Sequence, residues 1–175
     1  MTADMQERAR RIKLLILDID GVLTDGRVVY GIYGDELKFF DVQDGLGIVL
    51  LKRARIPTAI ITARKTRIVK TRSRDLRIDK TYQGFPDKLK PFVKALRHFR
   101  VKPEEVCFIG DDIIDIPILK RVGFAVAVPN AVEEVKAVSH YITQKMGGRG
   151  AVREICDLIL KSQGKWDIAT SKYFE

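Results

Sequence analysis

Short runs of apolar residues alternate along the chain with segments whose apolar residues recur at helical spacing. The short runs are rich in β-branched residues and lack in/out alternation, which is typical of strands buried on both faces of a sheet. In residues 88–99 and 150–161 the apolar positions fall on one stripe of a helix. Strands and helices in alternation predict an α/β fold, a three-layer Rossmann-like parallel sheet covered on both faces. The runs that predict strands are residues 13–19, 57–62, 105–110, 124–128 and 140–143.

Residues 27–41, RVVYGIYGDELKFFD, interrupt this alternation. Their polar and apolar positions alternate as in a β-hairpin, and Gly31 and Gly34 are suited to its turns. We therefore predict a hairpin inserted after the first strand, near the edge of the sheet where ligands bind.

Size, charge and cysteine content narrow the class of protein. The 175 residues are 46% hydrophobic, which leaves room for one core and excludes wholesale disorder. We predict one domain, residues 1–175, with loose ends at residues 1–10 and in a flexible tail, 165–175. A net charge of +9 suits a nucleic acid, an anionic membrane or a phosphorylated substrate. No apolar run approaches the ~20 residues of a membrane span. Residues 1–13 carry no apolar stretch that would predict a signal peptide, and Cys107 and Cys156 lie in apolar segments, so we expect a cytoplasmic protein.

Two carboxylates follow the first predicted strand, where the sequence reads LLILDIDGVLTDG. Alternation along a strand places Asp18 and Asp20 on the same side, with Ile19 pointing away. Two neighbouring carboxylates favour a cation between them, and Mg²⁺ prefers such oxygen ligands. The alternative is a turn that begins at Asp18 and is capped by Asp20 and Gly21.

A second acidic cluster, Asp111, Asp112 and Asp115, follows another predicted strand in EVCFIGDDIIDIP. The carboxyl ends of parallel strands can be neighbours, so Asp111 can complete an oxygen cage with Asp18. The alternative is that Asp111 or Asp112 caps the following helix. Capping explains one carboxylate, but not three together with the first pair.

Two further strand ends carry groups suited to an anion. Thr62 offers a hydroxyl and Arg64 a positive charge after the second run, and Lys88 begins the helix 88–99. A lysine at a helix N-terminus is unfavourable unless an anion lies nearby, and a phosphoryl group would remove that objection. The alternatives are a helix cap and solvated surface charges.

In chain order, the set Asp18/Asp20, Thr62, Lys88 and Asp111 resembles the four motifs of the haloacid dehalogenase-like phosphohydrolases. The resemblance implies that Asp18 is a nucleophile that forms an aspartyl-phosphate, and that Asp20 acts as general acid and then as general base. It also implies that Thr62 and Lys88 stabilise the transferring phosphoryl group.

The same resemblance implies a magnesium site. The carboxylates of Asp18 and Asp111 and the backbone carbonyl of Asp20 are the implied ligands. Asp112 and Asp115 are expected to support the site by orienting the metal ligands or the lysine.

Nearly the whole chain resembles one small family of this superfamily, the 3-deoxy-D-manno-octulosonate 8-phosphate phosphatases. The similar stretches are DIDGVLTDG, GDELKFF, DVQDGLGI, YQGFPDKL, GDDIIDIP and GGRGAVREICDLIL followed by QGKW. The resemblance implies hydrolysis of an eight-carbon sugar-acid phosphate in lipopolysaccharide synthesis. It also implies a chain without a cap domain, in which four 27–41 hairpins build a homotetramer whose subunits close each other's active sites. The aromatic tail is expected to reach towards an adjoining site.

The residues expected to face this substrate match the family only in part. Members often carry Asn-Val-Arg-Asp-Gly where this chain has Asp41-Val42-Gln43-Asp44-Gly45, and often a basic residue in place of Val49. Arg72 matches a substrate-facing position, although it lies in a basic helix whose charges are commonly just solvated. The predicted substrate-binding residues are Asp20, Asp41, Gln43, Asp44, Gly45, Arg64, Arg72, Lys88 and Arg149.

Other functions remain open at the level of sequence. Within enzymes, the alternatives are a phosphatase of a nine-carbon sugar-acid phosphate and a broad-specificity sugar phosphatase. A different class is a nucleic-acid-binding module that uses the basic helix 64–77, but its basic residues are not interleaved with aromatics and no nucleic-acid motif is present. We therefore expect neither nucleic-acid nor membrane partners. A regulatory homologue is disfavoured because every catalytic position keeps a competent side chain.

Overall fold

The structure is a computed structural model, and it describes residues 3–33 and 36–174. Three short 3-10 turns lie at Pro103–Glu105, Ile113–Asp115 and Ser171–Tyr173. The helices and strands are, in chain order, α1 (Ala3–Arg10), β1 (Leu14–Leu17), β2 (Val29–Tyr30), β3 (Glu36–Leu37), α2 (Val42–Arg53), β4 (Thr58–Thr62), α3 (Arg67–Asp75), β5 (Lys80–Gln83), α4 (Leu89–Phe99), β6 (Val106–Gly110), α5 (Ile116–Leu119), β7 (Phe124–Ala127), α6 (Glu133–Val138), β8 (Tyr141–Ile142), α7 (Ala151–Ser162) and α8 (Trp166–Thr170).

Six strands form one parallel sheet in the order β5-β4-β1-β6-β7-β8. Strand β1 lies inside it, with Leu15 beside Thr58 of β4 and Cys107 of β6. Every residue of β1, β4, β6 and β7 is buried, so helices cover both faces of these strands. The predicted α/β fold is confirmed.

The helices cover the sheet with apolar stripes. Helix α7 buries Val152, Ile155 and Ile159 and packs against α1, α2 and α8, while α5 contacts α4 and α6. Burial of these stripes removes apolar surface from water, which contributes about 25 cal/mol for each Å².

The inserted hairpin is present and short. Val29 pairs with Leu37 and Tyr30 pairs with Glu36 in an antiparallel two-stranded sheet. Gly31 does not adopt a positive φ, and the predicted turn residue Gly34 lies outside the described residues.

Two segments were not foreseen as regular structure. Strand β5, KTYQ, is polar because it lies at the edge of the sheet and is only partly buried, so its sequence lacks the apolar run of an inner strand. Residues 3–10, where we expected a loose N-terminus, form helix α1, which buries Ala9 and contacts α7.

The C-terminal segment is helical where we expected a flexible tail. Helix α8 buries Ala169 and Thr170, and Arg53 of α2 lies 5.0 Å from the centre of the Tyr173 ring. Its mobility in solution stays a prediction.

Cys107 and Cys156 are buried free thiols whose pKa values burial raises well above the usual range, so they act as small apolar side chains. Within the described ranges, the structure contains no helix of the length and apolarity that a bilayer crossing requires.

Candidate active site

Asp18 is the first residue after β1, and the sheet itself fixes it in place. Its backbone N–H donates to the carbonyl of Ile109 in the neighbouring strand β6. Its side chain is 7% exposed, and one carboxylate oxygen, Oδ2, lies 2.7 Å from Nζ of Lys88. The strand end therefore places a nearly buried carboxylate beside a fully buried lysine.

Asp115 joins this lysine to the second acidic cluster. Its Oδ1 accepts a 2.7 Å hydrogen bond from Lys88, and its Oδ2 accepts from the backbone N–H groups of Asp111 and Asp112. Gly110 makes room for it, because a Cβ at that position would lie 2.7 Å from the Cβ of Asp115. Asp115 thus orients both Lys88 and the turn that carries Asp111.

The buried charges at this point do not balance. Oxygens of Asp18, Asp111 and Asp115 lie within 4.8 Å of one another, and Lys88 is the cation among them. Burial raises the pKa of Asp18 to about 7, and burial together with the charge of Asp18 raises the pKa of Asp111 to about 8. Burial alone would lower the pKa of Lys88, but its two carboxylate partners raise it. The excess negative charge calls for a further cation.

Two oxygens are free to bind that cation. Asp18 Oδ1 and Asp111 Oδ1 are buried and have no hydrogen-bond partner among the described residues. Both oxygens of Asp115 are already engaged, so Asp18 and Asp111 are the available carboxylate ligands. Hard, unpartnered oxygens suit Mg²⁺, and the donor set fits it.

Gly21 allows Asp111 to approach the loop after β1. Its φ is +88°, and a Cβ there would lie 1.9 Å from Oδ2 of Asp111. The carbonyl of Gly21 also accepts a 2.8 Å hydrogen bond from the side-chain amide of Asn130, whose oxygen accepts from the N–H of Gly147. This loop is therefore held on both sides.

Asp20 faces charged groups from two other elements. Its Oδ1 is paired with Nζ of Lys38, and its Oδ2 lies 3.7 Å from Nε of Arg64. Hydrogen bonds with Tyr30 and Glu36 raise the pKa of Arg64, so this guanidinium stays charged.

A cavity of about 240 Å³ at the carboxyl edge of the sheet is lined by most of the predicted catalytic and metal-binding residues. It brings together the predicted nucleophile, acid, hydroxyl, lysine and metal ligands. Its lining residues are Asp18, Asp20, Gly26, Thr62, Ala63, Arg64, Lys88, Asp111, Asp112 and Ile114. Asp112 is exposed, and its side chain accepts from the N–H of Ile113.

Other predicted substrate-binding residues lie apart from this cavity. Asp41 and Arg149 line a separate cavity of about 370 Å³ with Phe39 and Phe40. Gln43 is exposed and lines another cavity with Gly150.

Arg72 and Gly45 lie against each other. The guanidinium donates to the carbonyl of Asp41 and packs over the ring of Phe40, with 5.3 Å to its centre. A Cβ at Gly45 would lie 2.8 Å from Nη2 of Arg72, so the glycine makes room for the arginine. Val49 is half-buried on α2.

Asp44 departs from its predicted role. It is fully buried, and its carboxylate accepts from the N–H groups of Gly150 and Arg153 at the start of α7. Burial raises its pKa to about 6. Because both oxygens are taken up by backbone amides, the side chain caps a helix and does not face a substrate.

Lys38, Glu36 and Asn130 are site residues that were not predicted from the sequence. Lys38 and Glu36 stood within the similar stretch GDELKFF, which was the available signal for them. For Asn130 there was no local signal, because its partners Gly21 and Gly147 are distant in sequence.

Comparison with known proteins identifies similar sequences. A model of the haloacid dehalogenase-like hydrolase family matches residues 58–155. A 3-deoxy-D-manno-octulosonate 8-phosphate phosphatase of Escherichia coli is 46% identical over 169 residues, which are 97% of this chain and 90% of that protein.

Solved structures are similar over almost the whole chain. The 3-deoxy-D-manno-octulosonate 8-phosphate phosphatase of Moraxella catarrhalis, in complex with a magnesium ion, a phosphate ion and KDO, has a TM-score of 0.95 at 42% identity and covers 100% of both chains. The enzyme of the same name from Yersinia pestis has a TM-score of 0.94 at 45% identity, covering 95% of this chain and 90% of the other. Because the family model and these relatives match its sequence and its fold, the chain belongs to the haloacid dehalogenase-like hydrolase family and is a phosphoric monoester hydrolase.

Proposed function

We propose that this protein is a magnesium-dependent phosphatase that hydrolyses 3-deoxy-D-manno-octulosonate 8-phosphate to the free sugar acid and phosphate. The observation that carries the proposal is the cavity in which unpartnered oxygens of Asp18 and Asp111 lie beside Thr62, Arg64 and Lys88. The named relatives, similar over nearly the full chain, support the choice of substrate.

The reaction proceeds in two displacements at phosphorus. An oxygen of the Asp18 carboxylate attacks, the bond between phosphorus and the sugar oxygen breaks, and Asp20 donates a proton to that oxygen. Water then attacks the aspartyl-phosphate while Asp20 accepts a proton from it. Phosphate leaves, and the Asp18 carboxylate is restored.

The remaining residues of the cavity prepare and stabilise this chemistry. Lys88, held by Asp115, keeps a fixed positive charge beside Asp18, where negative charge develops on the phosphoryl group. The Thr62 hydroxyl lines the same cavity. Asp18 and Asp111, with the Asp20 carbonyl, would hold Mg²⁺, which neutralises charge on the phosphoryl oxygens when bound.

Recognition of the sugar acid falls to charged groups in and around the phosphoryl cavity. Arg64 lies at its edge, and Arg72 and Arg149 supply two more guanidinium groups suited to a carboxylate. Asp41, Gln43 and Gly45 complete the proposed substrate surface.

A panel of phosphomonoesters tests the substrate directly. Phosphate release should be abolished by chelation, restored by Mg²⁺, and at least about 100-fold higher in kcat/KM for the eight-carbon sugar-acid phosphate than for neutral sugar phosphates. A preference for the nine-carbon analogue would reassign the substrate. Comparable rates on many unrelated monoesters would contradict a sugar-acid substrate altogether.

We further propose that residues 1–175 act as one domain that assembles into a homotetramer through the 27–41 hairpin. The hairpin exposes a row of large apolar side chains, which monomeric proteins rarely display together. The exposed fractions are 39% for Val29, 68% for Tyr30, 91% for Ile32, 91% for Tyr33 and 67% for Phe39.

Light scattering after size-exclusion chromatography measures the assembly. The wild-type mass should be four times that of the chain, and Ile32→Lys should yield smaller species, because a buried charge opposes association. The matched control is Ile168→Lys, which places the same charge on an isoleucine of α8 that is 72% exposed. A wild-type monomer would contradict the proposal.

A further inference from the structure

Lys38 is a buried lysine of the hairpin whose side chain contacts Asp20 in the candidate active site. Its side chain is 0% exposed, and its Nζ is paired with Asp20 Oδ1 and lies 2.6 Å from Glu36 Oε1. An ammonium group is rarely buried so completely unless carboxylates compensate it. The residue follows β3 directly, so the hairpin fixes where its side chain begins.

Arg64 closes a ring of charges around Asp20. Its Nη2 donates a 2.8 Å hydrogen bond to Glu36 Oε2, and its Nε lies 3.7 Å from Asp20 Oδ2. Burial would raise the pKa of Glu36, but the adjacent positive groups of Lys38 and Arg64 hold it below its usual range. Two cations and two carboxylates balance here, in contrast to the excess of carboxylates around Asp18.

Glu36 already has a partner without Lys38. Its bond to Arg64 ties β3 to the loop after β4, so the hairpin stays attached to the domain through that pair. What Lys38 adds is contact with Asp20 from a second direction. With Lys38 on one oxygen and Arg64 near the other, the carboxyl group of Asp20 is restricted in rotation.

We propose that Lys38 is a positioning residue for Asp20. It holds the Asp20 carboxyl group in the orientation from which a proton passes to the leaving oxygen and later returns from water. The inference rests on the proposed function, because the acid–base role of Asp20 is part of it. The hairpin thereby belongs to the catalytic apparatus of its own subunit.

Two substrates that differ in whether the leaving group needs a proton distinguish a positioning role of Lys38 from general support of the fold. An alkyl phosphate releases a strongly basic alkoxide that needs protonation, whereas p-nitrophenyl phosphate releases a phenolate that leaves without it. Hydrolysis of the aspartyl-phosphate is common to both substrates, so the comparison uses kcat/KM, which reports the steps up to departure of the leaving group. In kcat/KM, a residue that acts through Asp20 affects the first substrate more than the second. A residue that only supports the fold lowers activity on both equally.

Four variants make the test: Lys38→Met, Asp20→Asn, their combination, and the control Lys13→Met. Lys13 pairs with Glu105 at 2.6 Å but is 66% exposed and lies outside the site, so the same side-chain change there tests the loss of an ion pair alone. The measured quantities are kcat and KM with 3-deoxy-D-manno-octulosonate 8-phosphate and with p-nitrophenyl phosphate. Lys38→Gln replaces Lys38→Met if the latter does not fold.

Lys38→Met should lower kcat/KM on the sugar-acid phosphate by about tenfold or more, with kcat/KM on the aryl phosphate changed by less than about threefold. The double variant should lose no more than Asp20→Asn alone, because both changes remove the same interaction. Equal losses of kcat/KM on the two substrates, a wild-type kcat/KM on the sugar-acid phosphate, or independent effects in the double variant would overturn the proposal.

Hydrogen exchange tests the role of Lys38 even if the proposed acid–base role of Asp20 is wrong. Equal losses of kcat/KM on both substrates in Asp20→Asn itself would contradict the role of Asp20 as general acid. Positioning would then be judged from backbone amides of residues 18–24, which should exchange faster in Lys38→Met than in Lys13→Met. Unchanged exchange there would overturn the role of Lys38.

Discussion

The backbone at Gly21 decides how closely the two acidic clusters approach. Gly21→Ala introduces a methyl group 1.9 Å from Oδ2 of Asp111 at a φ of +88°. We expect kcat/KM to fall by at least about tenfold, because Asp111 must move away from Asp18. Activity measured across a Mg²⁺ titration checks this, and the apparent affinity for Mg²⁺ should fall as well.

Gly164→Ala is the matched control for that change. Gly164 also has a positive φ, +63°, but nothing lies within 4 Å of an added Cβ. The backbone strain of about 1–2 kcal/mol should appear in its stability without loss of activity. If both variants lost activity equally, strain alone would explain the effect and the close approach to Asp111 would be irrelevant.

At the scale of residues, the sequence predicts site residues that directly follow apolar strands. Asp18, Asp20 and Thr62 could be found because each lies at the end of an apolar run. Lys38 and Asn130 could not be recognised as site residues in this way, because what identifies them is a partner 18 and 109 residues away, respectively. Burial of a lysine depends on the tertiary fold and leaves no local pattern.

At the scale of elements, Asp44 links the start of α2 to the start of α7. Burial raises its pKa from 3.8 to about 6, so the folded protein binds this proton more tightly than the unfolded chain does. Its contribution to the free energy of unfolding is therefore fully present below about pH 4 and falls by up to about 3 kcal/mol as the pH rises through 6.

Asp44→Asn removes this titration. Urea unfolding between about pH 4 and pH 7 should show the wild type losing stability with rising pH relative to the variant, because Asn cannot ionise. A constant difference between the two proteins across this range would mean that the Asp44 pKa is not raised in the folded state.

The elements that sequence patterns predicted bury many apolar side chains, whereas an element that they missed has mostly polar ones. Helix α7 and strands β1 and β6 bury whole stripes or runs, so their periodicity is visible. Strand β5 lies at the sheet edge with polar side chains, and no period distinguishes it from a loop. The hairpin was recognisable, but its attachment to Asp20 was not.

At the scale of the whole molecule, the chain carries a net charge of +9, although three carboxylates cluster at the candidate active site. A positive protein attracts a phosphorylated, carboxylated substrate at long range, and salt screens this attraction over about 10 Å at 0.1 M. We expect kcat/KM for the sugar-acid phosphate to fall several-fold between about 20 mM and about 300 mM salt, with kcat nearly unchanged. Stopped-flow binding or initial rates at low substrate concentration would measure this, and no dependence on salt would show that the net charge does not guide the substrate.

The length of the chain bears on how the active site is covered. Its 175 residues build the hydrolase domain and a hairpin, and the buried Lys38 shows that this hairpin already covers part of its own site. Sequence resemblance implied that the hairpin builds an assembly whose subunits close each other's active sites. The structure gives it contact with Asp20 within one subunit as well.

Phosphate release by Asp18→Asn tests the central claim, that Asp18 is the nucleophile of a phosphatase, most directly. The amide keeps the shape of the side chain but cannot attack phosphorus. With the eight-carbon sugar-acid phosphate and Mg²⁺, we expect kcat to fall by at least about 10⁴-fold. Asp167→Asn, the same change at an exposed position on α8, should keep the wild-type rate. Near wild-type turnover by a folded Asp18→Asn protein would contradict the claim.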